Sequence, residues 1–411
     1  MHEAPDPAAQ GARPTPTPTP SEVWRALLPE AVLAGGAVPW LAADAIDHLG
    51  DPDGERVELL AGRAVVVPRR ALGHLRVTGA DRLAFVHGLL SHDVAGLPEG
   101  GAVDALLLDH KGQPQAGLGV VRRRDDLFLA VDDGMGEVVR RTFVEHVIFD
   151  QVEVTPLDDR LATATLVAAT AAGVVAALEA AWPGAVAGLA DALEAFGGPA
   201  GASPTEPVAS TASVARTASV ATGAGRVLLR PRRFGGGWAV DVHLLAADLA
   251  LAWPRWSAAG VRAVGERAWT AGRVAQGVAS ARGEGRLGLP QECGLEGRVS
   301  YRKGCYLGQE IMARIEARGR LRRGLRLLQL AGPPPGLGSA RGWRLVDAEG
   351  RVVGALGSAA PAPDGAGWWA LAVVRLDAAA GEGWSVVAEG DPPRVGPAST
   401  PASLRSVGAG W

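Results

Sequence analysis

From His74 to Val77 apolar and polar positions alternate and run into Thr78-Gly79, the pattern of a strand ending in a turn. Across 80 to 90 the spacing widens, and Leu83, Phe85, Val86 and Leu89 mark one face of an amphipathic helix that Ser91-His92-Asp93 closes. Strand-like runs follow at 103 to 109, 117 to 122 and 127 to 131, with Arg123 to Asp126 as a polar turn. A helix from about 135 to 147 and a strand near 151 to 155 complete an α+β unit.

The uncharged stretch from Leu161 to Leu178 is mostly alanine, threonine and glycine, too weakly hydrophobic for the roughly 20-residue apolar span a bilayer needs. It reads as a buried strand followed by a helix. Further on, Val227 to Arg230, a turn over 232 to 237, and Ala239-Val240-Asp241 lead into a helix across 246 to 258. This echoes the earlier hairpin that ends in Ala130-Val131-Asp132, and two related α+β units explain the repeat, although the tripeptide also arises by chance in an alanine- and valine-rich chain. After Gly324, short alternating runs at 325 to 330, 343 to 346, 351 to 356, 368 to 374 and 384 to 388 are separated by glycine and proline, the signature of a small antiparallel barrel.

Three stretches lack a sustained apolar period. Residues 1 to 20 carry a Thr-Pro alternation and read as a disordered tail rather than a signal peptide. Residues 198 to 225, rich in alanine, serine, threonine, glycine and proline, read as a mobile insertion, and 390 to 411 as a loose tail. The expected organisation is therefore a multi-domain α+β protein with a first α+β domain over 21 to 160, a second over 161 to 322 and a C-terminal β-barrel over 323 to 389.

Composition adds little until it is read locally. A chain of 411 residues, 47% hydrophobic, is long enough for several cores, and a formal charge of −3 gives no global drive toward nucleic acid. Two cysteines make no disulfide framework, and no C-x-x-C or histidine-cysteine spacing suggests a metal site, which places the chain in a reducing cytoplasm without membrane contact. The rare residue types nevertheless gather in one place. One of two lysines (Lys303), both tyrosines (Tyr301 and Tyr306) and one of two cysteines (Cys305) lie within VSYRKGCYLGQEIMARIE, residues 299 to 316.

Gly304 and Gly308 bracket Cys305, and Ile311, Met312 and Ile315 then follow helical spacing up to a stop at Gly319. Glu310 falls in the first turn, where a carboxylate complements the dipole. Cys305 thus precedes a helix N-terminus two residues from an ammonium group, and both features favour the thiolate. Burial as a small hydrophobe is the other reading. The second lysine sits in a Lys111-Gly112 turn, either as an ordinary solvated turn residue or as a second amine facing a shared anionic ligand. Six arginines between Arg314 and Arg326 form either a patch for anionic groups or a solvated helix end and strand edge.

Lys303-Gly304-Cys305-Tyr306 followed by Gly308-Gln309-Glu310 resembles the signature of the YgfZ proteins, members of the folate-binding superfamily that includes the glycine-cleavage aminomethyltransferase. The resemblance spans roughly residues 55 to 388 outside the insertion and implies a ring-like aminomethyltransferase-type fold with a terminal β-barrel. It implies tetrahydrofolate as cofactor and a role in assembly or repair of iron–sulfur proteins, with tRNA modification reached through one such enzyme rather than by direct tRNA contact. On that basis Cys305 is the functional thiol, tuned or oriented by Lys303 and Tyr306. Gly304, Gly308, Gln309, Glu310 and Lys111 belong to the cofactor loops, and Trp269 in WTAGRVAQG offers a face to the pterin. A lone Cys305 ligates a cluster only transiently, since clusters typically take four thiolates.

Three positions depart from the family. Ala275 stands where a glutamate is expected and Leu72 where a second aromatic is expected. Gln115-Ala116-Gly117 replaces the paired aspartates of the aminomethyltransferases, which points away from aminomethyl transfer. A folate-dependent aminomethyl- or methyltransferase with relocated groups, and a non-catalytic partner-binding protein with a decayed folate pocket, stand as the alternatives.

Overall fold

The computed structural model describes residues 18–36, 40–132, 134–186, 189, 193, 215–222, 226–319, 321–337, 342–378, 383–389 and 400–404. Two six-stranded sheets and a closed barrel organise these residues. In the first sheet the order is Ala215–Arg216, Gly101–Leu108, Pro114–Arg122, Leu127–Val131, Gly73–Thr78 and Glu153–Pro156, antiparallel throughout. In the second it is Ala218–Ala221, Arg226–Phe234, Gly237–Leu245, Leu161–Ala168, Val65–Pro68 and Arg262–Ala263, with only the last pair parallel.

The pleat explains why these strands are apolar on both faces. Alternate residues of a strand point to opposite sides. In the first sheet, Val103, Ala105, Leu118, Val120, Leu129 and Val131 point outward onto the helices Arg82–Leu89 and Gly136–His146 through Phe85, Val86, Val139 and Phe143. In the second, Leu166, Leu229, Val240 and Val242 point onto the helices Ala171–Ala181 and Ala246–Ala258 and the tryptophans Trp24, Trp253 and Trp256. The opposite faces meet each other, where Ala102, Val121, Phe128 and Ala130 pack with Leu161 and Leu228. The result is a helix–sheet–sheet–helix stack.

The internal repeat is visible in this topology. Gly101–Leu108, Pro114–Arg122, Leu127–Val131 and Gly73–Thr78 lie in the same antiparallel order as Ala218–Ala221, Arg226–Phe234, Gly237–Leu245 and Leu161–Ala168, and the helix after each hairpin covers the outer face. The turn read at 232 to 237 is tighter than expected, because Arg226–Phe234 pairs with Gly237–Leu245 down to Phe234↔Gly237. The chain also crosses between sheets. Val65–Pro68 joins the second sheet although it precedes the first unit, through pairing with Leu161–Ala168.

Two stretches read as loose are corrected in part. The described portion of 198 to 225 contains Ala215–Arg216 and Ala218–Ala221, one edge strand for each sheet, so backbone pairing replaces the apolar period that the sequence lacks. Within 390 to 411, Thr400–Leu404 pairs with both Arg323–Leu330 and Trp384–Ala388 and closes the barrel. The remainder of both stretches, and the tail up to residue 17, lie outside the described residues; Thr19 already caps the helix Pro20–Leu27 with a reciprocal Glu22 contact.

The barrel is fastened to the stack by a buried polar latch. Arg273, on the helix Glu266–Ala275, donates to Ser358 Oγ at 2.6 Å and pairs with Glu284 at 3.0 Å, while Val274 packs on Leu327 and Leu371. Among the described residues no helix is long and apolar enough to cross a membrane.

Candidate functional site

Where the two sheets face each other, the apolar packing gives way to a charged seam. Asp104, on Gly101–Leu108, accepts from Arg230 Nη1 at 2.7 Å across the sheet interface. The same guanidinium donates through Nη2 to Asp241 at 2.6 Å, and Arg232 grips Asp241 in a two-point contact with both distances 3.0 Å. Thr165 adds a hydroxyl donor to Asp241 at 2.7 Å. Beside them, His74 of the first sheet and His243 of the second each lie 2.7 Å from the Thr163 hydroxyl, and His74 reaches Asp158 at 3.1 Å.

Two glycines in the middle of the first sheet make room for this network. Gly117 and Gly119 share the face that looks at the second sheet, with Asp104 directly across from Gly119. A side chain at Gly119 would collide with the Arg230 guanidinium, and one at Gly117 would collide with the Asp132 carboxylate and the tip of Arg298. Asp132 and Arg298 pair at 3.4 Å, and the Asp132 amide donates to the Gly117 carbonyl at 2.8 Å. The seam is not sealed: the side chains of Asp104 and Asp132 are 34% and 30% exposed, those of Arg298 and Arg232 24% and 21%.

Electrostatics set the protonation states. Burial pushes the Asp104 carboxyl up, but Arg230, Arg298 and Arg232 outweigh it and hold it below the ordinary carboxylate range. Burial is likewise overcome at Asp241, which Arg232 and Arg230 hold well below that range. Burial depresses His243 far below the usual imidazole value against the pull of Asp241, so the ring is neutral at pH 7.

Trp269 lies at the end of the seam, but its face is taken. The ring, on the helix Glu266–Ala275, is 6% exposed and stacks on Phe234 with centroids 4.3 Å apart, and the guanidiniums of Arg69 and Arg232 stand 5.2 and 5.1 Å from its centroid. Ala275 ends that helix, and Leu72 is buried in the apolar part of the sheet interface.

The 299 to 316 segment divides into an inward and an outward half. Lys303 is buried, and its ammonium donates to the carbonyls of Leu90 at 2.6 Å, His92 at 3.3 Å and His87, capping the C-terminal end of the helix Arg82–Leu89. Burial draws its pKa down to about 8, with Asp93 opposing, and Tyr306 presents its ring 4.9 Å from the same nitrogen. Tyr306 itself is buried among Leu106, Leu108, Val299 and Met312. Lys303 and Tyr306, read from the sequence as partners of the thiol, are thus committed to the fold, while Cys305 and Gly304 are exposed. The other cysteine, Cys293, is buried, and burial with Glu292 and Glu284 raises its pKa to about 12.

Two glycines of the loops assigned to the cofactor pack closely on each other's segment. Gly308 has φ +80° at the start of the helix Gln309–Arg318, and a Cβ there would lie 2.5 Å from the Asp109 carbonyl oxygen. Gly112, with φ +76°, packs in the same way on Ile311 and Met312, so the Lys111-Gly112 turn and the 308 to 312 segment are mutually fitted. Lys111 is exposed and Lys303 is used as a cap, so the amines do not present one shared face. Gln309 is half-buried, and Glu310 pairs on the surface with Arg314. Among the described residues nothing stands within 4 Å of a Cβ at Gly304. Of the arginine patch, Arg314 is paired with Glu310, and Arg323 with Glu292 at 2.6 Å. Among the described residues no group of three or more histidine, cysteine, aspartate or glutamate side chains is arranged to hold a metal ion.

Sequence reading missed the seam. Its signal was present in Gly117-Leu118-Gly119, two glycines in an otherwise apolar strand, and in the repeated tripeptides, whose last residues are Asp132 and Asp241.

No protein-family description matches the chain, and no curated protein matches it either. Among solved structures, the glycine cleavage system aminomethyltransferase T from Bartonella henselae matches over 95% of this chain and 97% of its own, with TM-score 0.68 and 15% identity. A heterotetrameric sarcosine oxidase from Corynebacterium sp. U-96, in complex with pyrrole 2-carboxylate, covers 59% of this chain and 95% of its own at TM-score 0.29 and 14% identity. The first likeness establishes an aminomethyltransferase-type fold, in agreement with the two sheets and terminal barrel.

Two consequences are measurable. Asp104 and Asp241 ionise more readily in the folded state, so the seam's stabilisation is complete above about pH 4 and drains away as pH falls through the folded values. Asp241→Asn should cost about 3–5 kcal/mol at pH 7, by leaving Arg232 without its carboxylate and Arg230 with Asp104 alone, and should flatten the acid limb of stability measured by denaturant unfolding from pH 7 to 3. Lys303→Met should lower stability by roughly 2–3 kcal/mol through its orphaned carbonyls, whereas Cys305→Ser should leave the thermal midpoint in place.

Proposed function

We propose that this protein is a YgfZ-like, tetrahydrofolate-linked accessory factor for assembly or repair of iron–sulfur proteins, with the ligand in the inter-sheet cleft and the Cys305 loop turned to a partner. The observation that carries the folate assignment is the partly open seam of Asp104, Asp132, Arg232 and Arg298 inside an aminomethyltransferase-type fold.

The donor set fits the polar parts of a reduced folate and not its stacking requirement. Carboxylates accept from N–H groups of a pterin edge, and guanidiniums pair with the carboxylates of a glutamate tail. Trp269 is already stacked on Phe234, so the ring that the resemblance assigns to the pterin would have to exchange one aromatic neighbour for another. Bound tetrahydrofolate would supply ring nitrogens able to carry one-carbon units. The chain's own residues would hold the ligand, fix its orientation between two charged walls and limit its contact with water.

The iron–sulfur role rests on the signature loop and on the exposure of Cys305 beside it. An exposed thiol on a loop anchored by Lys303 suits transient contact with a client protein, and its separation of roles from the cleft fits an accessory factor. The folate-dependent transferase reading is favoured by one observation, the Asp132 carboxylate lying where a side chain at Gly117 would project.

Titration of tetrahydrofolate into the full chain, followed by tryptophan fluorescence, tests the cleft. Saturable binding in wild type and Cys305→Ala, weakened at least roughly tenfold in Asp104→Asn, is the expected result. Absence of binding up to millimolar ligand would remove the folate assignment and leave a partner-binding protein.

A further inference from the structure

We infer that Asp132 is a ligand-binding carboxylate of the inter-sheet cleft, occupying from the neighbouring strand the place that residues 115 to 117 leave without a carboxylate. This rests on the reading of the cleft as a folate site and deepens it by naming the residue that meets the ligand's N–H groups.

The position follows from register. Leu118 pairs with Val131 and Leu106 with Gly117, so Asp132, one residue beyond the strand Leu127–Val131, stands beside Gly117 on the face turned toward the second sheet. The backbone bond from the Asp132 amide to the Gly117 carbonyl, 2.8 Å, fixes that placement. Gly117 has no side chain, and the space its Cβ would fill is taken by the Asp132 carboxylate, flanked by Arg298 and Ala281. An aspartate at 117 and an aspartate at 132 therefore exclude each other, and the chain has the second.

Among the seam's carboxylates, Asp241 has no capacity left, whereas Asp104 and Asp132, 34% and 30% exposed, keep free lone pairs, and Asp132 is the more loosely held. Asp241 is saturated by Arg230, Arg232 and Thr165, and Asp104 has Arg230 at 2.7 Å. Asp132 has Arg298 at 3.4 Å, a loose contact, and is 30% exposed. Arg230, with a side chain 9% exposed, lies over Gly119 on the same face, and its buried Nε has no hydrogen-bond acceptor among the described residues. A carboxylate with free lone pairs on a furrow walled by guanidiniums suits a ligand edge that carries N–H donors, as a reduced pterin does.

The test is a relocation of the carboxylate. Tetrahydrofolate binding is measured by calorimetry on the full chain for wild type, Asp132→Asn, Gly117→Asp and the double variant Gly117→Asp with Asp132→Gly, each checked for a cooperative thermal transition. Asp132→Asn, which keeps the shape, should weaken binding roughly tenfold or more. Gly117→Asp alone should weaken it by crowding two carboxylates, and the double variant should recover most of the loss. Wild-type binding that Asp132→Asn leaves unchanged overturns the assignment of Asp132 while the cleft reading stands. Absence of binding in wild type overturns both.

Discussion

The contact on which the rest depends is the inter-sheet ion pair between Asp104 and Arg230. Both sheets are covered by helices on one face, so their other faces must either pack on each other or meet water. Apolar residues achieve this at one end of the interface, through Val121, Phe128 and Leu228, while at the other end Val67 and Phe234 of the second sheet are covered by Trp269 of the helix Glu266–Ala275. Between them the chain buries guanidiniums, and a buried guanidinium is tolerable only with carboxylates in good geometry. Asp104 and Asp241 supply these from opposite sheets, and Gly119 supplies the space. A charged seam is a costly way to join two sheets when leucine would serve, and Asp104, Asp132, Arg232 and Arg298 remain partly open to solvent.

The 299 to 316 segment is subordinate to this arrangement. Its inward half ties the cleft to the helices around it: Lys303 caps the helix Arg82–Leu89, Ser91 Oγ donates to the Arg298 carbonyl at 2.6 Å, and the Ser300 amide donates to the Ser91 carbonyl at 2.8 Å. Arg298, which reaches Asp132, is therefore held from both sides by the same loop whose outward half carries Cys305. One segment thus positions both a cleft residue and an exposed thiol.

Local pattern made much of this fold legible. The strand and helix periods between 72 and 155 and the glycine- and proline-spaced strands after 324 are short-range signals, and the structure places elements close to those bounds. Nonlocal pairing was not legible. Val65–Pro68 has the composition of a strand for either sheet, and only its partner Leu161–Ala168, about a hundred residues on, decides which. Thr400–Leu404 follows a stretch dense in proline and glycine, and it earns strand geometry from two partners rather than from its own sequence. Lys303 shows the same limit at the site. Its sequence neighbour is a thiol, yet its ligands are carbonyls more than two hundred residues earlier, and proximity along the chain suggested the wrong company.

In the proposed reading a reduced folate binds at the seam. Hydrogen–deuterium exchange of the full chain with and without tetrahydrofolate addresses it most directly, because it locates the ligand without any substitution. The prediction is added protection in peptides covering 101 to 119, 130 to 132 and 226 to 243, with Cys305 and its exposed neighbours unchanged. Protection confined to the 299 to 310 segment, or no change anywhere at saturating ligand, would contradict it.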